Sequence, residues 1–391
     1  MSGSPSGPEV RIDQLTGARV LLAPARSDRP EAMAAPERVL KGSKGCPFCE
    51  GNEDRTPEEL FAIRPGADEG GSGDGEAGRR DSAACGANQP GWQVRSVPNL
   101  YPALATPEVA GGSGSGAGGA SVARPGGAAT MAGDMAGEPA GAFSSPADPL
   151  RASARSLETD LFSARPATGT HEVIISAPEH LTALCELTDE HFAITIEAWR
   201  ERMRHHRAAS PYTQLIVNEG LAAGASLEHS HAQLYALGFV PAAVARERER
   251  VASYAERTAG GELLIDVLSE EVRRADRLVA IDDEAALICP WASRSPYEMR
   301  VIPRRTAPDF ATDRAGTGML ATALRLLTGR FGRPPPLNLW IRTAPRDTET
   351  FQWHIDLAPR LTTPAGFELS TEIFINVVSP EQAAAELREY V

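Results

Sequence analysis

The stretch ASLEHSHAQLYAL, residues 225–237, sets two of the chain's eight histidines one residue apart, with a glutamine two positions further on. In an extended strand residues i, i+2 and i+4 share one face. His229, His231 and Gln233 then point one way, and Ser230, Ala232 and Leu234 the other. On a helix the three would scatter around the axis, and the alternation leaves no helical stripe. The stretch therefore reads as a strand. An isolated H-x-H is more often a pair of solvated or hydrogen-bonded core histidines than a functional pair, so the surrounding sequence has to decide.

With 391 residues the chain has room for about two domains or one large two-lobed fold. A net charge of −13 argues against a nucleic-acid binder, which needs a basic face. No apolar run reaches the length of a membrane span, and MSGSPSGPEV at the N-terminus lacks the basic and apolar parts of a secretory signal. The expectation is a soluble, cytoplasmic protein with no membrane or nucleic-acid partner. Five cysteines are an odd number, unlike a secreted disulfide framework. Cys46 and Cys49, in GCPFCEGN, form half of a common zinc motif and need two further ligands. Two reduced thiols or a thioredoxin-like redox pair are the other readings, and the latter lacks its βαβ surroundings.

RVLLAP at 19–24 is a strand candidate. Residues 66–91 and 106–166 collapse into Gly, Ala, Ser and Pro, with too few large apolar groups to offset the entropy of ordering. They read as flexible insertions flanking the ordered segment WQVRSVPNLYPAL at 92–104. HEVIIS from 171 reads as a strand. Phe192, Ile196, Trp199 and Met203 recur at helical spacing behind Thr188 as N-cap. YTQLIVN at 212–218 is a further strand, and ARERERVASYAER is a helix with a largely solvated face. A weak repeat overlays HEVIISAPEH (171–180) on YEMRVIPRRT (297–306): Glu172 precedes His229 by 57 residues and Glu298 precedes His354 by 56. Two strand-helix-strand-strand units predict a pseudo-symmetric α+β fold.

A neutral imidazole can attack phosphorus, and the resulting phosphoramidate passes its group to a second acceptor. His231 suits this role if its other ring nitrogen is held by an acceptor. Gln233, on the same face, can donate its amide to the developing charge. NEGLAAGAS at 218–226 adds backbone N–H groups and the Ser226 hydroxyl.

These residues carry a resemblance. NEGLAAGASLEHSHAQLYALGFVP resembles the active-site segment of galactose-1-phosphate uridylyltransferases, the nucleotidyltransferase branch of the histidine triad superfamily, where glutamine replaces the last histidine. TGARVLLAPARSDRP, CPFCEGN, VPNLYPAL, HEVIISAPEHLTALCEL, WASRSPYEMRVIPR and WHIDLAPRLTTPAGFE follow the family in the same order. The resemblance implies tandem histidine-triad-like repeats related by a pseudo-two-fold, each an antiparallel sheet with packed helices. Residues 1–236 would carry the zinc site and nucleophile, and 237–391 would be a degenerate half. It implies His231 as the nucleophile that becomes nucleotidylated, Gln233 as the phosphoryl contact, and Cys46, Cys49, His180 and His229 as zinc ligands. Arg26, Arg29, Asn99, Asn218 and Ser226 would contact nucleotide or phosphate, and Phe367 and Glu368 the hexose.

Some family members hold a second metal, usually iron, on a glutamate and three histidines. Glu247 and His354 fall at two of those places, but Arg342 and Asp356 occupy the others. An arginine cannot ligate, so an ion pair of Arg342 with Asp356 or Glu247 is expected instead of iron. The serine between the histidines replaces the proline of the best-known members. The implied activity is ping-pong transfer of UMP from UDP-glucose to galactose 1-phosphate. The alternatives are an ADP-glucose phosphorylase or adenylyltransferase of the same family, or a non-catalytic zinc-containing nucleotide binder. The ligands are a nucleotide sugar and a hexose 1-phosphate, and a homodimer is compatible with the sequence.

Overall fold

The structure, a computed structural model, describes residues 9–23, 45–65, 87–105 and 167–391. The composition-biased segments 66–86 and 106–166 lie outside these residues, as do Arg26 and Arg29. Residues 87–91, which composition assigned to the first insertion, belong to the described chain. There the Asn88 side-chain carbonyl accepts from the Glu59 N–H at 2.9 Å and from Arg95 at 2.8 Å.

The strands in chain order are β1 (Glu9–Ile12), β2 (Arg19–Leu22), β3 (Phe61–Ile63), β4 (Val94–Pro98), β5 (Gly169–Ile175), β6 (Tyr212–Glu219), β7 (His231–Leu237), β8 (Leu278–Ile281), β9 (Ala285–Ile288), β10 (Met299–Pro303), β11 (Leu337–Arg342), β12 (His354–Pro359) and β13 (Phe374–Asn376). The helices are α1 (Asp189–Arg207), α2 (Ala242–Arg257), α3 (Leu263–Arg274), α4 (Thr317–Phe331), α5 (Gly366–Thr371) and α6 (Pro380–Arg388).

Ten strands form one antiparallel sheet in the order β3-β4-β5-β7-β6-β11-β12-β10-β9-β8. Read outward from the β6–β11 seam, both halves run through the same sequence of elements. The fold is α+β, as expected. The cross-strand pairing is alike in the two halves. Ile174 stands opposite Ala232, and Val301 opposite Ile355. All four are buried in one core. The halves share that core, and residues 9–23 pack on the second half. β1 and β2 form a small sheet with β13, and Leu15 joins Val251, Leu263 and Ile302 in a side cluster.

The helix layer covers one face of the large sheet. The Thr188 side chain accepts from the His191 N–H at 3.2 Å, capping α1. Phe192, Ile196, Trp199 and Met203 then recur on one side and bury against Leu215, Val217 and Leu234. With one sheet face covered in this way, period-2 alternation sends His231, Gln233 and Tyr235 to the other face. In α2 the expected solvated face is present, and Val244, Glu247 and Val251 are the buried residues opposite it. Among the described residues no helix is long and apolar enough to cross a membrane.

Candidate active site and metal centre

His231 opens β7, and its Nδ1 lies 2.7 Å from the carbonyl oxygen of His229. A carbonyl oxygen only accepts, so Nδ1 carries the proton and Nε2 keeps its lone pair. Burial pushes the imidazole pKa down and keeps the ring neutral. The Phe48 ring packs edge-on, 5.2 Å away between centroids.

Gln233 is held from two sides. Its Oε1 accepts from the Tyr235 hydroxyl at 3.0 Å and lies 3.0 Å from His171 Nε2. His171 Nδ1 accepts from the Ala103 N–H at 3.3 Å, so Nε2 bears the proton donated to Gln233. With two donors on its oxygen, the amide nitrogen of Gln233 is turned the other way and remains able to donate. The His171 and Tyr235 rings stack with centroids 4.0 Å apart. Sequence reasoning missed both residues. Tyr235 continues the alternation of His229, His231 and Gln233, a signal that was available. His171 is its cross-strand neighbour and follows only from the β5–β7 register.

Asn99 follows β4 beside His171, and its Oδ1 accepts from the Tyr101 N–H at 2.9 Å. The β6–β7 register, with Val217 opposite Ala232, brings Asn218 level with His231. The Asn218 Oδ1 accepts from Asn338 Nδ2 at 2.7 Å, a second partner not read from sequence. Ser226 lies in the loop between Gly224 and His231. Phe367 and Glu368 do not join this group within the chain. They sit on α5, where Glu368 lines a cleft with Trp340 of β11, two strand spacings or about 10 Å from β7. The Glu368 carboxylate accepts from the Ala365 N–H at 2.9 Å and caps its own helix.

Cys46, Cys49, His180 and His229 converge, one ligand atom of each lying within 4.8 Å of all the others. Cys49 Sγ is 3.4 Å from His180 Nδ1 and 3.7 Å from His229 Nδ1, and Cys46 Sγ is 3.6 Å from His229 Nδ1. Ligand atoms on a small tetrahedral ion stand about 3.3–3.8 Å apart, given bonds of about 2.0–2.3 Å. His229 Nε2–H donates to the Ala177 carbonyl at 2.8 Å, which leaves Nδ1 free to ligate. Burial and the neighbouring Cys46 push the Cys49 thiol up to about 11, and a bound dication reverses that balance. Donor set and separations both suit a metal ion.

The pseudo-symmetric place in the second half is filled by charge. Asp356 Oδ1 accepts from Arg300 Nε at 2.6 Å, with both side chains buried. The sequence pointed to Arg342 in a pair with Asp356 or Glu247. Asp356 is held by Arg300 instead, because the β10–β12 register sets the two directly opposite. Arg342 faces Glu247 at 3.9 Å and Gln214 at 3.4 Å. Burial raises Glu247 to about 7 and lowers His354 to about 3. With one arginine in the ligand ring and another occupying its carboxylate, this set does not fit the family's iron.

The description "Galactose-1-phosphate uridyl transferase, N-terminal domain" fits residues 142–241. An ADP-glucose phosphorylase of Arabidopsis thaliana is 26% identical over 406 residues, covering 98% of this chain and 93% of that protein. A galactose-1-phosphate uridylyltransferase of Haemophilus influenzae is 28% identical over 245 residues, covering 58% of this chain and 69% of that protein. The crystal structure of the Arabidopsis thaliana ADP-glucose phosphorylase with bound ADP-glucose superposes with a TM-score of 0.68 at 22% identity, covering 98% of this chain and 100% of that one. That likeness is one of fold.

Proposed function

The chain belongs to the galactose-1-phosphate uridylyltransferase family, and from that premise we propose that His231 carries a nucleotidyl group from a nucleotide sugar to a phosphate acceptor. The observation that carries this reading is the 2.7 Å bond from His231 Nδ1–H to the His229 carbonyl, which leaves Nε2 as a neutral nucleophile. Nε2 attacks the α-phosphorus, the N–P bond forms, and the bond to the bridging oxygen breaks, releasing the sugar 1-phosphate. The positive charge left on the ring is stabilised through Nδ1–H by the carbonyl. The Gln233 amide donates to the phosphoryl oxygens as charge develops. An acceptor phosphate oxygen then attacks the same phosphorus and His231 leaves. One zinc ion on Cys46, Cys49, His180 and His229 serves as a structural tether: it ties the 45–52 turn to the residue whose carbonyl orients His231.

ADP-glucose, with inorganic phosphate as acceptor, is the favoured pair, because an ADP-glucose phosphorylase is similar over 98% of this chain. UDP-glucose with galactose 1-phosphate is the second reading. It is supported by the match over 142–241 and by relatives named galactose-1-phosphate uridylyltransferase. In either case Phe367 and Glu368 would reach a bound hexose only from a second copy of the chain, as in a homodimer. Incubating the protein with ADP-glucose or UDP-glucose alone, followed by intact mass, tests the proposal. An adenylyl adduct on His231 supports the first reading and a uridylyl adduct the second. No adduct from either, with folded zinc-loaded protein, leaves a non-catalytic nucleotide binder.

A further inference from the structure

The β6–β11 seam joins the two halves beside His231. Asn338 of β11 stands opposite Asn218 of β6, and Asn218 stands level with His231 of β7. Directly opposite residues in an antiparallel pair share a face, so the three side chains form a row across three strands. The Asn338 Nδ2 donates to Asn218 Oδ1 at 2.7 Å and to the Ala223 carbonyl at 2.8 Å. A backbone carbonyl only accepts, so the Asn338 atom between the two is its nitrogen, and the Asn218 atom facing it is the oxygen. Both N–H bonds of the Asn338 amide are thereby engaged. The Asn218 Nδ2 donates to no acceptor among the described residues.

The loop after β6 is seated on the same strand. Gly220 has φ +80°, and a Cβ there would stand 3.2 Å from the Cβ of Pro336, which immediately precedes β11. Within the loop the N–H groups of Ala223, Gly224 and Ala225 donate to the Gly220 and Leu221 carbonyls at 3.1, 3.0 and 3.2 Å. Those donors are spent on the turn itself, which leaves more of any phosphate contact to side-chain amides. Gln233 shows the same arrangement as Asn218: its oxygen is held by Tyr235 and His171, and its nitrogen stays able to donate.

We infer that Asn338 is a positioning residue for nucleotidyl transfer: from the second half it holds the Asn218 oxygen toward β11, so that the Asn218 Nδ2 faces β7 and donates to a phosphoryl oxygen at His231. The half without a nucleophile thus contributes to the transfer site across the seam. Asn338 does not itself touch the phosphate, since its N–H bonds are engaged and β11 is two strand spacings, or about 10 Å, from β7. The inference rests on the transfer reading above for the identity of the group that Asn218 meets.

Single-turnover adduct formation on His231 with ADP-glucose and with UDP-glucose, together with equilibrium dialysis of ADP and of UDP, tests it on the full zinc-loaded chain. Asn338→Ala releases the Asn218 amide and should slow adduct formation about 10-fold. Asn338→Asp reverses the polarity. Its carboxylate accepts from Asn218 Nδ2 and turns the Asn218 oxygen toward the phosphate, which should slow the adduct about 100-fold and weaken the diphosphate about 10-fold. In an Asn218→Ala background, Asn338→Ala should cost less than about two-fold more, because its effect passes through Asn218. Equal losses from Asn338→Ala in both backgrounds would mean a merely structural role and would overturn the inference, as would wild-type rates in Asn338→Ala. If Asn338→Asp does not fold, the alanine cycle decides. A parent that forms no adduct with either nucleotide sugar ends the transfer reading, and dialysis then decides alone: ADP or UDP weakened in Asn338→Asp supports the inference, and unchanged binding, or none by the parent, overturns it.

Discussion

Glu247→Gln isolates the charge cluster that stands where the family's second metal would be. Glu247 is completely buried, and burial raises its carboxyl from 4.5 to about 7, with Arg342 and Arg300 pulling it down and Asp356 and Asp13 pushing it up. The unfolded chain releases this proton near pH 4.5, while the folded chain keeps it until about pH 7. Between those values the folded state binds more protons, so the wild type loses stability as pH rises through this window and levels off above it. Moving a carboxyl that far is worth roughly 3 kcal/mol by pH 8. Glutamine keeps the shape and cannot ionise. Glu247→Gln should therefore stabilise the protein by up to about 3 kcal/mol at pH 8 and by less than about 0.5 kcal/mol at pH 4.5. Urea unfolding of both proteins at several pH values measures the difference. A variant less stable than wild type at every pH would mean that Glu247 is ionised in the fold, paired with Arg342 or held by a metal, and the argument would be wrong.

Four further outcomes are expected. Arg300→Met leaves the Asp356 carboxylate buried without its partner and should cost about 3–5 kcal/mol in the same unfolding assay; a near-neutral result would show that solvent reaches the cluster. His231→Gly or His231→Asn should abolish the nucleotidyl adduct and leave the circular dichroism spectrum unchanged, and near-normal turnover in either would remove His231 as nucleophile. Gln233→Ala should slow both half-reactions by about 2–4 kcal/mol, whereas Tyr235→Phe, which only loosens the hold on Gln233, should cost about 1 kcal/mol; equal effects in rapid-quench kinetics would contradict that division. Elemental analysis should find about one zinc per chain and little iron, with Cys49→Ser losing the zinc. Stoichiometric iron would contradict the reading of the second half.

Much of the site was legible in the sequence, because its chemistry depends on local spacing. H-S-H-A-Q alternates, so a strand with one face buried against helices has to present His231 and Gln233 together. A C-x-x-C turn brings two thiols to one point whatever the rest of the chain does. The Thr188 cap and the apolar stripe of α1 are likewise contained within about 15 residues of sequence. What sequence could not supply was register between distant segments. The pairing of β5 with β7 decides that His171 buttresses Gln233, and the pairing of β10 with β12 decides that Arg300 holds Asp356. A shift of one residue in either pairing would send those side chains to the opposite face. Nor could helical periodicity reveal that Glu247, on a charged helix, is buried, because burial depends on what packs over it. Spacing along the chain thus determined the donor types and the face they share; tertiary pairing decided which distant charges meet them, because cross-strand contacts join residues whose separation in sequence carries no local signal.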